Sequence, residues 1–597
     1  MEYLYEDAKT IYESFLRGRR ITGDGKFLGA RTGPNREYVW SSYNEIYDRV
    51  QAFGSGLFQL GVEPGQKTNL WVVADLACQM FSMVTVALYD TLGSDAVTYI
   101  INLCEITTVV CDTAARVQLL VDSKGKLPAL KTIIMVEELT EQLSESAEKA
   151  GLKIMAFSQV EPPKPSDLCT ICFTSGTTGD PKGVMLTHLN MAGNTGAIVE
   201  RISKLHHYKS DDTHLSYLPL AHMYERYNLM CQMTHGGHVG FYSRDIKLLF
   251  DDFQALKPTQ FTAVPRLLNK IRDKVITGVQ GSKVKSALLN MALKSKLAEV
   301  RRGIIRKDSI WDKLVFHKIQ ALLGGRVQFV AVTSAPLSKH VFDFARCAFG
   351  CLVMEGWGQT EVTGASTVQL PGDPEPGQVG CPVACNYIKL IDVPDMDCYA
   401  KDGKGEVCVK GTNVTSGYYR NPEKTKDLFT ADGWLRTGDI GIIQSNGTLQ
   451  IVDRRKHIFK LSQGEYLAPE RIEGIYCRSM YVQQCFVDGD SLKSRCVAVV
   501  VPDPDVVMMW AANNNRPQDI TQLCQDEVLK DVILQDMLEF GKTAQLKGFE
   551  QVLDIALEPE PFSVEAGLLT PTFKNKRTQL RKHFAHQVAA LYAKHKD

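Results

Sequence analysis

The stretch Phe173-Thr-Ser-Gly-Thr-Thr-Gly-Asp-Pro-Lys-Gly183 concentrates the groups that grip polyphosphate. Gly176, Gly179 and Gly183 let backbone N–H groups turn inward, Thr174, Ser175, Thr177 and Thr178 add hydroxyl donors, and Lys182 adds a charge. This is not the loop of the common nucleotide triphosphatases, which ends in Gly-Lys-Ser/Thr. Here Lys182 is followed by Gly183 and Val184. The apolar run Leu168-Cys-Thr-Ile-Cys-Phe173 ahead of it reads as a buried strand. A Gly/Thr-rich surface turn is the alternative, but such turns rarely carry four hydroxyls.

The elements that must hold this loop belong to a large chain. At 597 residues it exceeds one minimal core several-fold. A hydrophobic content of 44% with 23% charged residues is that of a soluble globular enzyme. Lysine plus arginine balances aspartate plus glutamate at 68 each, so no global field draws the chain to nucleic acid. Sixteen cysteines are scattered without repeated spacing. Cys169 and Cys172 form one CxxC inside the apolar run, which reads as a pair of reduced, buried thiols in a cytosolic compartment and not as a zinc site. Met1 to Lys9 is acidic and mixed, unlike a signal peptide. The most apolar stretch, residues 69–88, is interrupted by Asp75 and Gln79, so it reads as a strand followed by a buried helix and not as a membrane span.

Short apolar runs at Thr107–Cys111, Thr132–Val136, Gln328–Val332 and Cys351–Met354 alternate with longer periodic segments. That alternation predicts an α/β chain, with parallel or mixed sheets covered by helices. After about residue 400 the texture becomes short strands punctuated by Gly, Asn and Asp, which predicts a small antiparallel or barrel-like unit over roughly 400–452. The charged stretch Asp453-Arg-Arg-Lys456 marks a domain boundary at Asp453. Strands at Val482–Val487 and Cys496–Val501 and intervening helices then predict a small α+β C-terminal domain over 453–597, behind a large domain over 1–452. Leu580, Phe584, Val588 and Leu591 at helical spacing predict one last helix packed on it.

Thr174–Lys182, Gly356-Trp-Gly-Gln-Thr-Glu361 and Trp434-Leu-Arg-Thr-Gly-Asp439 occur in this order in the adenylate-forming (acyl-activating) enzymes, which the chain resembles. Tyr217-Leu-Pro-Leu-Ala-His-Met-Tyr-Glu-Arg226, Val264-Pro-Arg-Leu-Leu268, Gly447–Lys460 and Leu569-Thr-Pro-Thr-Phe-Lys-Asn-Lys-Arg577 are similar to the long-chain acyl-CoA synthetases among them. The resemblance runs from about Tyr5 to Tyr592. Two positions depart from the family pattern. Trp357 stands where Tyr is usual, and the Gly-rich segment near the adenine reads Thr333-Ser-Ala-Pro-Leu337.

The resemblance implies an adenylate-forming fold and a two-step reaction. A fatty acid carboxylate, ionised at neutral pH, attacks the α-phosphate of ATP, and the thiol of coenzyme A then displaces AMP. Positioned cations and donors must offset the meeting of an anion with a polyanion. The loop Thr174, Ser175, Gly176, Thr177, Thr178, Gly179 and Lys182 is expected on the β- and γ-phosphates. Glu361, with Thr174 or water, is the candidate ligand of a magnesium ion (Mg2+). Glu355, Gly356 and Trp357, continuing through Gly358, Gln359 and Thr360, with Ser334, Ala335 and Pro336, are expected around the adenine. Asp439 is expected on the ribose hydroxyls, and Arg454 on ribose or phosphate. Lys574 matches the family's adenylation lysine, with Lys576 close enough to compete for the assignment. His222 is expected to position carboxylate or thiol; a core histidine is the alternative. Tyr217, Met223, Tyr224, Val264 and Arg266 are candidates for the mouth of an acyl tunnel, and Asp453 for a hinge on which the small domain turns between the two steps.

The partners implied are fatty acid, ATP and coenzyme A, with no nucleic acid. The resemblance includes an N-terminal membrane anchor that is not matched here, as expected either of a truncated or alternative form or of a chain that reaches membranes by another route. The expected location is the cytosol or, by peripheral contact, the cytosolic side of the endoplasmic reticulum or outer mitochondrial membrane. A ligase for another acid or acceptor and a non-catalytic lipid-binding homologue stay open as alternatives.

Overall fold

The computed structural model describes the chain except residues 1, 33–35, 57–71, 73–74, 77–84, 89–92, 107, 112–113, 131, 136–163, 175–180, 334–336, 464, 491, 565, 571–573 and 596–597. Among the described residues the main sheet has nine strands. Its middle is parallel: Leu352–Trp357, Phe329–Val332, Gln260–Ala263, Thr213–Ser216, His238–Phe241 and Lys26–Arg31 lie side by side in that order. Thr367–Val368 and Cys381–Pro382 extend one edge antiparallel, and Tyr38–Ser42 extends the other. The strand residues of Thr213–Ser216 and Gln260–Ala263 are all buried, as a sheet covered on both faces requires.

A smaller sheet joins Thr85–Ala87, Leu168–Thr174 and Lys182–Thr187. Thr108–Cys111 pairs parallel with Thr132–Met135. The antiparallel unit is a four-stranded meander that starts earlier than the sequence suggests, at Asn386–Ile391, and continues through Lys404–Gly411 and Leu435–Ile443 to Leu449–Arg454. Asp453 therefore lies within its last strand. Beyond it, Val482–Asp488, Val497–Pro502 and Ile555–Leu557 form a separate sheet, and helices Pro469–Tyr476 and Glu527–Thr543 pack with it over a core drawn entirely from residues 461–555.

Two local expectations are corrected. In the stretch 69–88 the described residues Val72, Asp75 and Leu76 are helical and Thr85–Ala87 is the strand, so the order is helix then strand. The periodic C-terminus is two helices, Arg577–His583 and Ala585–Lys594, broken at Phe584, although Leu580, Phe584 and Leu591 are buried as their spacing requires. Every described cysteine is free, and burial pushes the Cys172 thiol up to about 12, as expected of a structural thiol. No helix among the described residues is long and apolar enough to cross a membrane.

One buried cation locks the small sheet against the helix Met223–Thr234. Arg226 is 1% exposed and donates to Thr170 Oγ1 (2.9 Å), to Thr85 Oγ1 (3.0 Å) and to the Asp75 carboxylate. Removing it deprives the buried Asp75 carboxylate of the guanidinium that faces it. Arg226→Leu is expected to cost about 3–5 kcal/mol and to lower the first calorimetric melting transition, whereas the double change Arg226→Leu with Asp75→Leu recovers most of the loss. An additive loss in the double variant would refute the pairing.

Candidate active site

A cavity of about 2250 Å³ opens between the main sheet, the meander and the C-terminal unit. Elements far apart in the sequence line it: Thr174 and Lys182, His222 to Tyr224, Glu355 to Glu361, Thr437 to Asp439, Asp453 to His457, and Lys574.

The hydroxyl-rich loop enters from a hairpin. Thr174 ends one strand and Lys182 begins the next, and the two are register partners, so the hairpin presents both at the cavity. Ser175, Gly176, Thr177, Thr178 and Gly179 between them lie outside the described residues. Lys182 Nζ stands 5.0 Å from the Tyr418 ring, and Tyr418 donates its hydroxyl to Glu361 Oε1 at 2.8 Å. Glu361 sits on a single helical turn, Thr360–Val362, just past the strand Leu352–Trp357. With one oxygen so fixed, its carboxylate has a second oxygen to offer, and Thr174 lines the same cavity. This all-oxygen donor set suits Mg2+, which takes one or two carboxylates and leaves its other positions to water and phosphate. The three described His, Cys, Asp or Glu groups close enough to enclose an ion on their own are elsewhere, at Asp453, His457 and Glu470.

Asp439 is held by its neighbours on two sides. The Trp357 indole N–H donates to Asp439 Oδ2 at 2.9 Å, and Arg454 Nε lies 3.5 Å from Oδ1. The second contact follows from register, because Asp439 and Arg454 are cross-strand partners in the meander. Gly438, at φ 70°, bends the chain just before Asp439 in a conformation that suits glycine. Burial holds the Asp439 carboxyl above the usual range, and Arg454 and the Trp357 N–H only partly oppose it. Trp357 thus offers both a ring and a donor at the cavity wall. Glu355 on the same strand is pushed up to about 8 by burial, a shift that backbone N–H groups of Leu337 and Gly377 only partly offset. It is therefore a neutral acid at pH 7. Thr333 and Leu337 line the cavity, whereas Ser334, Ala335 and Pro336 lie outside the described residues.

His222 caps the N-terminus of the buried helix Met223–Thr234, its Nδ1 accepting the Tyr224 backbone N–H at 3.1 Å. Burial first, then the nearby Lys574 ammonium, pushes its pKa down to about 3. It is thus neutral, and because Nδ1 is an acceptor its proton resides on Nε2. Lys574 is brought to the same locus by a small loop closure: Thr570 N–H donates to the Lys574 carbonyl (2.8 Å) and Lys574 N–H to Thr570 Oγ1 (3.0 Å). Asn575 next to it is tied to Glu473 Oε2 (3.3 Å) and the Cys485 carbonyl (3.2 Å). Burial, then Arg454, pushes Lys574 down to about 8. Lys576 does not line the cavity, which separates the two lysines that the sequence leaves in competition.

Asp453 is 3% exposed and accepts N–H groups from Arg454 (2.6 Å) and Glu470 (3.1 Å). Burial and the neighbouring Glu470 hold its carboxyl well above the usual range. Glu470 accepts from His457 Nδ1 at 2.7 Å. The strand end at Asp453 is thereby clipped to the first turn of the helix Pro469–Tyr476.

The structure brings His222, Glu361, Trp357, Asp439, Arg454 and Lys574 to one cavity. Gly356, Gly358, Gln359 and Thr360 line it as well, as do Met223, Tyr224 and Val264. Tyr217 does not; it is buried in the core of the main sheet, so the tunnel-mouth expectation for it is corrected. Its position directly after the inner strand Thr213–Ser216 accounts for this. The side chain of Arg266, on the helix Pro265–Gln280, lies outside the described residues. Sequence reasoning missed Tyr418, which fixes Glu361, and Lys456. Lys456 is open to the cavity, and enclosure together with Arg454 and Lys182 pushes it down to about 8. The charged run Asp453–Lys456 was the signal for Lys456.

The AMP-binding enzyme family model matches residues 27–419. Long-chain-fatty-acid–CoA ligase 5 of Mus musculus is 47% identical over 99% of this chain and 89% of its own length. Long-chain-fatty-acid–CoA ligase 6 of Homo sapiens is 46% identical over 99% and 88%. Among solved structures, the adenylation domain of a carboxylate reductase from Mycobacterium chelonae superposes with a TM-score of 0.78 at 25% identity, covering 99% of this chain and 92% of that one. The chain belongs to the AMP-binding enzyme family and, within it, to the long-chain fatty acid–CoA ligases.

Proposed function

We propose that the chain ligates long-chain fatty acids to coenzyme A at the expense of ATP, through an acyl-adenylate, releasing pyrophosphate and then AMP. The observation that carries this reading is the convergence of Lys574, His222, Glu361 and the Trp357–Asp439–Arg454 set on one cavity. The similarity to curated long-chain ligases supports the acid and the acceptor.

In this reading Asp439 accepts both ribose hydroxyls, and its two neighbours fix the direction of its carboxylate. The adenine lies along Glu355–Thr360 and the Ser334-Ala335-Pro336 segment. The loop Thr174–Lys182 takes the β- and γ-phosphates, with Lys456 a further cation beside them. Glu361 and Thr174 hold Mg2+, which when bound neutralises phosphate charge. Lys574 approaches the α-phosphate and offsets the charge that builds as the fatty carboxylate attacks. His222, neutral and protonated at Nε2, donates one hydrogen bond to an acyl oxygen. The acyl chain passes between Met223, Tyr224 and Val264, where each buried CH₂ contributes about 0.8 kcal/mol. Residues 453–597 act as a mobile domain turning about Asp453, so that Lys574 serves the first step and withdraws before the thiol arrives. Fatty acid and acyl-CoA both partition into bilayers, which supports peripheral contact with the cytosolic leaflet of an intracellular membrane.

The direct test is ATP–pyrophosphate exchange with palmitate, followed by thioester formation on adding coenzyme A. Exchange without thioester points to another acceptor, and no exchange with any fatty acid points to a non-catalytic lipid binder. Lys574→Ala is expected to lower exchange about 100-fold while slowing thioester formation from supplied palmitoyl-adenylate far less. Equal losses would remove Lys574 from its assigned step. The pH profile has a definite sign. Lys574, at about 8, is charged below that pH and discharges as the pH rises through it. The kcat/KM for ATP in exchange should therefore decline above pH 8, since that parameter reports groups of the free enzyme. In Lys574→Arg the guanidinium stays charged, so whatever activity survives should decline less over the same window. Asp453→Pro should suppress thioester formation more than adenylate formation, and loss of both to the same extent argues against a hinge there.

A further inference from the structure

The helix Lys283–Val300 buries Leu289, Ala292, Lys296 and Val300, at spacings of three and four. A neighbouring face, about a third of a turn around, carries Val284, Leu288 and Met291 at i, i+4 and i+7, exposed to 78%, 39% and 58%. A solvated helix face is ordinarily polar, so an apolar line on it marks a surface meant for contact. The segment that follows repeats the arrangement: Ile310 and Leu314, four residues apart, are 65% and 60% exposed. The two segments are pinned together by the buried Lys296, whose Nζ reaches Asp312 Oδ2 (3.0 Å) and the Arg306 carbonyl (2.6 Å).

The same region is strongly basic. Residues 281–326 hold eleven lysines and arginines against three acidic residues, in a chain whose totals balance. Each of the three acids already stands opposite a cation: Asp312 at Lys296, Glu299 at Arg306, and Asp308 at 4.0 Å from Arg306. Among the described residues Lys283, Lys285, Lys294, Arg301, Lys313 and Lys318 are exposed and form no ion pair. Lys283, Lys294 and Arg301 are eleven and seven residues apart, three and two helical turns, and so run as a line beside the apolar one.

We propose that this face docks on an anionic lipid bilayer, with Val284, Leu288 and Met291 entering the acyl boundary and the flanking cations meeting the headgroups. An apolar line bordered by unpaired cations is the pattern of a helix lying in a membrane interface, and the charge selects an anionic surface over a neutral one. The position suits the substrate. The preceding helix, Pro265–Gln280, contributes Ile276, Thr277 and Gly278 to the cavity wall, and the docking line begins six residues later at Val284. A chain seated on this face holds its cavity beside the phase in which a long-chain acid dissolves. The inference rests on the reading that the substrate is a membrane-soluble acid, but its test does not require turnover.

The experiment is flotation with vesicles of phosphatidylcholine, alone or mixed with phosphatidylserine. The wild-type chain should float with the mixed vesicles and less so at high salt. Val284→Glu, Leu288→Glu and Met291→Glu together should lower vesicle binding about ten-fold or more while leaving thioester formation from cyclodextrin-solubilised palmitate within about two-fold. Lys283→Glu, Lys294→Glu and Arg301→Glu together should abolish the preference for phosphatidylserine. Wild-type chain that floats with neither vesicle, or an apolar-face variant that floats like wild type, overturns the proposal. So does a change of oligomeric state in the apolar-face variant with vesicle binding intact, since the face would then belong to a second copy. A chain that binds vesicles through this face yet ligates no acid supports the docking surface and refutes the enzymatic reading.

Discussion

Gathering positive charge inside a cavity that resists it is the constraint on which this architecture depends. Lys574 and Lys456 are both pushed down to about 8, by enclosure first and by Arg454 next. Left alone, such groups shed their protons or turn out to solvent, because desolvation and mutual repulsion act in the same direction. They are retained because anions are set among them. Asp439 and Glu361 face the cavity, and each is fixed by a neutral donor, the Trp357 indole and the Tyr418 hydroxyl. A polyanion that enters meets cations already gathered around the cavity.

Uncharged polar groups complete that design. His222 and Glu355 are titratable by type, yet both are neutral at pH 7, one with its pKa driven down to about 3 and the other up to about 8. Burial explains both directions, since it disfavours whichever form is charged. They supply hydrogen bonds of defined direction without adding to the charge that the lysines and carboxylates already balance. Trp357 has a similar economy: it closes a wall of the cavity and orients Asp439 with the same ring.

The C-terminal unit contributes Lys456, His457 and Lys574 to the cavity wall and several side chains to holding Lys574 there. Thr570 closes the loop around Lys574, and Asn575 anchors it to the helix Pro469–Tyr476 through Glu473. The first turn of that helix holds Glu470, which is clipped to Asp453 at the end of the meander and to His457. The lysine and the strand end are thus two arms of one helix, so rotation of the unit about Asp453 would carry Lys574 with it.

The ordered motifs made the family readable. Thr174–Lys182, Gly356–Glu361, Asp439 and Lys574 carry group types that nucleotide chemistry needs, and those types are properties of the residues themselves. Alternating apolar runs likewise disclosed the parallel sheet, because strands buried on both faces must be apolar throughout. What the chain alone left open was which groups meet. The pairing of Asp439 with Arg454 depends on strand register, and the choice of Lys574 over Lys576 on which way a short loop closes. The fixing of Glu361 by Tyr418 depends on a contact across 57 positions, and the burial of Tyr217 and the break at Phe584 depend on the packing around them. Residue type sets what a side chain is able to do; only the packed tertiary structure sets its distance, its exposure and therefore its charge.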